Sequence, residues 1–265
     1  MSAARSRSGS RFSRARAAVI PASILAAWLA SARLALVDPN VLPPPGAVLA
    51  TAREHLSQTG FWAGVAASLA RTFAGFGLAA AAGLALGVLL GVSPVAERLI
   101  GPTFHAWRQV AAFAWIPLVS AWFGAGDACK VAFIAVASVA PVVFNTFVGV
   151  RSVRSEHVEL GRVLEIGRRR FVLAVVIPSA APQMLTGLHL ALLTSWLAAF
   201  GSELFLEITR GVGTLLIEGR SLGRMDMVLV GIGVIGAIGF GLNAAMGLLE
   251  RRVLRWRPAR SWARP

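Results

Sequence analysis

Residues 131–170 read VAFIAVASVAPVVFNTFVGV followed by RSVRSEHVELGRVLEIGRRR. The first twenty carry no charge and the second twenty carry six arginines, and that step decides the fold class. About 20 consecutive apolar residues are enough for a helix to cross the hydrocarbon of a bilayer. Lys and Arg collect in the cytoplasmic loops that follow such helices. Working outward from this stretch, similar apolar runs occupy residues 17–37, 72–92, 110–123, 184–206 and 227–249, six spans with 131–150. The run at 110–123 is the shortest and contains Pro117; it can start further back, near Ala106, or form a re-entrant segment.

Composition agrees with a bilayer as the solvent. Of 265 residues 56% are apolar and 14% are charged, with a net charge of +14. A soluble domain has about 25% charged residues, so this chain lacks the polar surface that water requires. A disordered chain is excluded by the same figures. The cations stand in short blocks between apolar runs instead of on one continuous face, which argues for membrane topology and against a nucleic-acid partner. The expected fold class is therefore all-α, a polytopic membrane bundle of about six transmembrane helices. It divides into a basic amino-terminal segment 1–16, a membrane domain 17–250 that carries the loop 151–182, and a basic tail 251–265.

The arginine-rich start followed by an apolar run also describes a secretory signal, with Ala30-Ser31-Ala32 as a cleavage site. The run continues to Val37 and five further spans follow, so a retained first helix is expected. Six spans place 19 cations on the side of the two termini and the 151–182 loop. The other side receives Arg33, Arg53, Arg71, Lys130, Arg210, Arg220 and Arg224. The imbalance puts both termini in the cytoplasm. Gly83, Gly87 and Gly91 recur at four-residue spacing, as do Gly233, Ala237 and Gly241, and both sets are expected to be close-packed helix faces. After Pro39, Pro43, Pro44 and Pro45, residues 47–56 read as a short amphipathic helix at the outer surface.

Catalytic chemistry is not legible. His55, His105, His157 and His189 have no metal-ligand spacing and no HExxH occurs, so neither a catalytic residue nor a metal site is expected. Cys129 is the single cysteine, which excludes an internal disulfide. It also precedes Lys130 where a Walker A motif needs glycine, so the chain has no P-loop. Glu203, with Glu207 a turn further on, is the one carboxylate inside an expected span; it is either a functional intramembrane group or an interfacial residue. With so few buried charges, ion-coupled transport has little to work with, and the energy must come from elsewhere.

The loop then gains interest. In SVRSEHVELGRVLEIGRRRFVLAVVIPSAAP, residues 152–182, Ser155 can cap a helix with Glu156 and Glu159 in its first turns. Val158, Leu160, Val163, Leu164 and Ile166 supply apolar surface, and Gly167 can end the helix. Such a helix either lies on lipid or docks a soluble partner. The loop resembles the motif of binding-protein-dependent ABC transporter permeases: Glu-Ala-Ala, three residues, Gly, nine residues, Ile-x-Leu-Pro. Glu159 stands for the Glu, Leu160 and Gly161 for the alanines, Val175 and Ile177 for the branched positions, and Pro178 for the proline. The motif's glycine falls on Glu165, with Gly167 two positions later, so the turn is expected to be built differently, with Gly167 as a candidate. Further blocks resemble the permeases for aliphatic sulfonates, taurine and nitrate: LPPPGAVL at 42–49, SLARTFAGF at 68–76, IPLVSAWFGAGDACKV at 116–131 and LTGLHLALLTSWLAAFGSELF at 185–205.

The resemblance implies a MetI-like permease fold in a bacterial inner membrane. It implies two permease copies as a homodimer, two copies of an ABC ATPase that hold ATP and Mg, and a periplasmic solute-binding protein. No cofactor is expected on this chain itself. Glu159, Gly161, Arg162, Glu165, Gly167, Arg168 and Pro178 would form the ATPase-coupling loop. Ser138, Asn145, Thr194, Ser195, Trp196 and Glu203 are candidates for the translocation path, although small polar residues also satisfy one another between helices. The cargo would be a small anion, with a thiamine-precursor pyrimidine as an alternative. A self-sufficient channel or carrier, or a membrane-anchored assembly factor, are readings from other classes.

Overall fold

The computed structural model describes residues 6–34, 36–153, 155–206 and 211–255. Every regular element among them is helical: α1 (Ser6–Arg33), α2 (Pro45–Leu56), α3 (Thr59–Val92), α4 (Pro94–Trp107), a 3₁₀ turn (Ala112–Trp115) leading into α5 (Ile116–Phe123), and α6 (Asp127–Arg151). There follow α7 (Ser155–Val163), the single turn α8 (Arg168–Phe171), a π-helical turn (Val172–Val176), α9 (Ile177–Phe205), α10 (Gly213–Ser221) and α11 (Met225–Val253). Among the described residues four stretches are long and apolar enough to cross a membrane: Thr59–Val92, Asp127–Arg151, Arg169–Phe205 and Met225–Val253. Val19–Arg33 and Ala112–Phe123 are apolar but shorter.

The surface carries large apolar side chains, while small polar ones lie inside beside the apolar core. Leu78, Leu197, Phe240 and Leu248 are exposed, while Ser68, Thr72, Ser138, Thr146 and Ser195 are fully buried. Only an apolar solvent makes that arrangement favourable.

The third span differs from its expected form. Ala112–Phe123 is about 18 Å long at 1.5 Å per residue, well short of the hydrocarbon thickness. The missing length is supplied by α4, well upstream of Ala106. Ser93 caps α4 by accepting from the Ala96 N–H at 3.3 Å, and Pro94 occupies the first turn, where its missing N–H costs nothing. Phe104 of α4 packs on Val143, in the second half of α6. Val119 of α5 packs on Cys129 and Phe133, at the start of α6. The two pieces therefore run antiparallel along α6 as one broken crossing.

The expected glycine face of α3 is real and longer than read from sequence. A Cβ on Gly75, Gly83, Gly87 or Gly91 would stand 2.5–2.6 Å from Ile134, Val142, Thr146 or Val150. Ala79, 1% exposed, completes the four-residue repeat. At Gly87 the Val143 carbonyl also lies 2.8 Å from that position, and backbone cannot swing aside. Gly87→Leu is expected to cost roughly 1–3 kcal/mol or more, read as a lower thermal transition and lower yield of folded protein. In α11, by contrast, nothing approaches a Cβ at Gly233 or Gly241 within 4 Å, so that expected face is open. Gly and Ala spacing alone does not distinguish a packed face from one turned to lipid.

Contacts divide the chain into two units, one made of residues up to Trp62 with Thr214–Val234, the other of Ala63–Gly213 with the segment from Ile235. In the first, Leu215, Met227 and Val230 form a core with Val48, Ala52 and Phe61. The expected helix at 47–56 is α2, and its Thr51 is buried, donating to Asp226, which also pairs with Arg224 at 2.8 Å. The second unit holds α6 packed along α9 through close glycine contacts. Gly187 faces Asn145 and Gly149 faces Gln183, and the Gln183 amide donates to the Asn145 side-chain oxygen at 3.0 Å.

Candidate functional site

The second unit brings two groups of residues to notice. The first is the loop between α6 and α9. Nine residues, Ser155–Val163, form α7, and the expected N-terminal acidic residue Glu156 lies in its first turn. The side chains of Ser155, Arg162 and Arg168 lie outside the described residues, as does Glu207. Glu159 is exposed, and so are Val163 (79%) and Leu164 (66%), an apolar surface bordered by charge.

How α7 ends explains the departure noted in the sequence. The Ile166 N–H donates to the Gly161 carbonyl at 3.0 Å, spanning five residues, and Glu165 between them has φ +50°. That is a Schellman ending, whose penultimate position is left-handed and usually glycine. Glu165 occupies it although its Cβ disfavours the conformation by roughly 1–2 kcal/mol. Gly167 does not take over the turn: it is absent from the positive-φ glycines, and its carbonyl instead accepts from the Phe171 N–H at 3.0 Å to start α8. The physical reason is that the Schellman bonds fix which residue must be left-handed, and Gly167 lies beyond them. Glu165→Gly is expected to stabilise the loop by about 1 kcal/mol, seen as slower exchange of the Ile166 amide.

Gly161 is buried under the Phe171 ring, where a Cβ would come within 2.5 Å. Cavities of about 610 and 770 Å³ flank this contact, both lined by Gly161, Ile166 and Phe171. Beyond Phe171 the helix widens: the Ile177 N–H bonds to the Val172 carbonyl, closing a π turn. Pro178, exposed, follows at once and cannot donate to the Ala174 carbonyl, which is the cause of the widened turn. The loop is thus a short helix, held by an aromatic contact and joined to α9 through a non-standard turn.

The second group lies at the other end of α6 and α9. Glu203 is 4% exposed and pairs with Arg71, itself 6% exposed, through an Nη2–Oε1 distance of 2.7 Å. The Ser68 hydroxyl donates to the same oxygen at 2.5 Å, and the Gly213 N–H donates to Oε2 at 2.8 Å. Arg71 Nη1 reaches Asp127 at 2.8 Å, and Lys130, fully buried, stands in the field of all three charges. Arg71 and Lys130, expected just outside the spans, instead lie within α3 and α6 and are buried, and Arg71 forms a buried ion pair. Helix α3 begins at Thr59, so Arg71 is mid-helix, and each charge is stabilised by the opposite one beside it. A lone Glu inside a span calls for a cationic partner. Arg71 and Lys130, each isolated among apolar residues, were the legible candidates.

The other path candidates do not gather at one place. Ser138 and Thr194 bond back to the carbonyls of Ile134 and Leu190 in their own helices. Asn145 is held by Pro141 and Gln183. Trp196 is buried and donates from Nε1 to the Ile235 carbonyl at 3.1 Å. Ser195 is fully buried and its hydroxyl has no hydrogen-bond partner among the described residues.

Residues 83–255, which contain the loop and Glu203, match the family described as the binding-protein-dependent transport system inner membrane component. The chain belongs to this family. As such it is a multi-pass inner-membrane permease, a transport component and not an enzyme. It is 33% identical over 240 residues to the taurine transport system permease protein TauC of Escherichia coli K12, covering 89% of this chain and 87% of that one. It is 34% identical over 194 residues to the nitrate import permease protein NrtB of Leptolyngbya laminosa, covering 73% and 69%. The fold is similar, with a TM-score of 0.65 and 17% identity, to a chain of the MetNI methionine ABC transporter in inward-facing conformations, covering 73% of this permease and 96% of that chain.

Proposed function

We propose that this permease forms the translocation path of an ABC importer for a small oxyanion of the sulfonate, taurine or nitrate class. The observation that carries the coupling role is α7, a short helix with exposed Glu159, Leu160, Val163 and Leu164, placed between two membrane helices. Two ATPase copies would seat α7 in a cleft and supply ATP and Mg, and this chain would hold neither. Movement of α7 would pass through Phe171 and the π turn into α9. A second permease copy would complete the path, and a periplasmic binding protein would deliver the anion. The relatives named for taurine and nitrate transport support that cargo class. Both termini and α7 would face the cytoplasm; with Arg71 and Lys130 buried in the bundle, the cation imbalance becomes steeper.

The test is reconstitution of the permease with its ATPase and binding protein, followed by uptake of labelled taurine, an alkanesulfonate and nitrate. ATP-dependent uptake of one of them is expected. The buried charge cluster gives the self-sufficient carrier one observation in its favour. Uptake by the permease alone, without the ATPase, would establish that reading instead.

A further inference from the structure

The cluster around Glu203 joins four separate pieces of chain. Ser68 and Arg71 belong to α3, Asp127 and Lys130 to the first turn of α6, Glu203 to the end of α9, and Val212 and Gly213 to the segment entering α10. The contacts form one continuous path. The Val212 N–H donates to Ser68 Oγ at 3.1 Å, Ser68 donates to Glu203 Oε1, and Glu203 Oε2 accepts from Gly213. The seating leaves no slack: a Cβ on Gly211 would stand 2.5 Å from the Glu203 carboxyl carbon, and one on Gly64 would stand 3.2 Å from the Gly211 carbonyl oxygen. Val212 is left 2% exposed.

Position gives this cluster its meaning. From Pro178 to Glu203, α9 rises about 38 Å, more than the hydrocarbon thickness of about 30 Å. The cluster therefore stands at the membrane face opposite the α7 loop, where α3, α6 and α9 converge. Arg71 has a second partner besides Glu203. Its guanidinium spans the buried Glu203 and Asp127, which is 63% exposed. If Glu203 withdrew, Arg71 would keep a carboxylate at the water-facing side. The same feature would lower the cost of opening, because the Arg71 guanidinium is not left without a carboxylate.

We propose that Glu203 is a positioning residue which, through Ser68 and Arg71, clamps the Gly211–Gly213 segment onto α3. The clamp closes the path at the face remote from α7 and is released when the transporter opens to that side. The inference rests on the importer reading above. It differs from that reading in placing a closing device on specific residues of this chain.

The test uses Val212→Cys in a Cys129→Ala background, with the complete transporter in nanodiscs and a membrane-impermeant maleimide as probe. In the resting state Cys at position 212 is expected to be protected, and ATP with binding protein and anion to accelerate its labelling about tenfold or more. Adding Ser68→Ala removes the hydroxyl that bridges Glu203 and the Val212 N–H, and is expected to raise resting labelling by about tenfold, the loss of one charge-assisted hydrogen bond. Transport with Val212→Cys still protected would show a permanent structural clamp and overturn the proposal. Labelling of the Ser68→Ala protein no faster than its parent would overturn it as well. If Ser68→Ala does not assemble, the rest-against-turnover comparison decides alone. If labelling responds to Ser68→Ala but no preparation hydrolyses ATP or moves an anion, the clamp stands and the importer reading falls.

Discussion

Arg71→Met is expected to remove most of the folded permease from the membrane. The substitution keeps length and apolar bulk but strips the guanidinium from Glu203, which is 4% exposed. Breaking a buried pair by deleting one partner costs roughly 3–5 kcal/mol, a large part of the roughly 5–15 kcal/mol that holds a typical domain together. The measurement is the yield of monodisperse protein and its thermal transition in mild detergent. Arg71→Met/Glu203→Gln leaves no unpaired charge at the pair, and Lys130 remains to balance Asp127. The double variant is therefore expected to be more stable than the sum of the two single changes, the signature of direct coupling. Additive effects would show that the 2.7 Å contact contributes nothing of its own.

Glu159→Arg is expected to act in the opposite way, leaving the protein folded and inserted while abolishing uptake and substrate-stimulated ATP hydrolysis. Glu159 is exposed on α7 and no hydrogen bond or ion pair within the chain depends on it among the described contacts. Exposed substitutions of this kind change stability by about 0.5 kcal/mol or less. A complete loss of transport would then have to arise at the contact with the ATPase, where a reversed charge repels what the carboxylate attracts. Assembly with the ATPase and normal uptake in this variant would sink the coupling role of α7. The two substitutions separate the ends of α9: one removes the protein, the other its drive.

Much of the permease was legible in the sequence because a bilayer is a demanding solvent. Every backbone group inside it must be satisfied locally, so long apolar runs can only be helices. The loop helix at 155–163 was legible from its charge and apolar spacing, and the close-packed face at Gly83, Gly87 and Gly91 from its period. The third crossing was not, because Pro94–Trp107 carries Glu97, Arg98 and His105 and does not read as a span. Its place along α6 comes from Phe104 packing and from the ion pair between Glu97 and Arg151. The same limit applies to Gly233 and Gly241, where the period was present and the packing was not.

The candidate site divides along the same line. That residue 165 must turn left-handed follows from bonds between Ile166 and Gly161, which no composition or motif displays. Sequence determined the solvent, the helical class, the family and the position of the 155–163 helix, since each depends on residues near one another in the chain. Tertiary structure alone decided which charges are partners. Ser68, Arg71, Asp127, Lys130, Glu203 and Gly213 are brought together from four segments, Ser68 and Glu203 standing 135 positions apart in the chain. In a low-dielectric interior a charge persists only where an opposite one is held against it, and that pairing is fixed by how the helices pack.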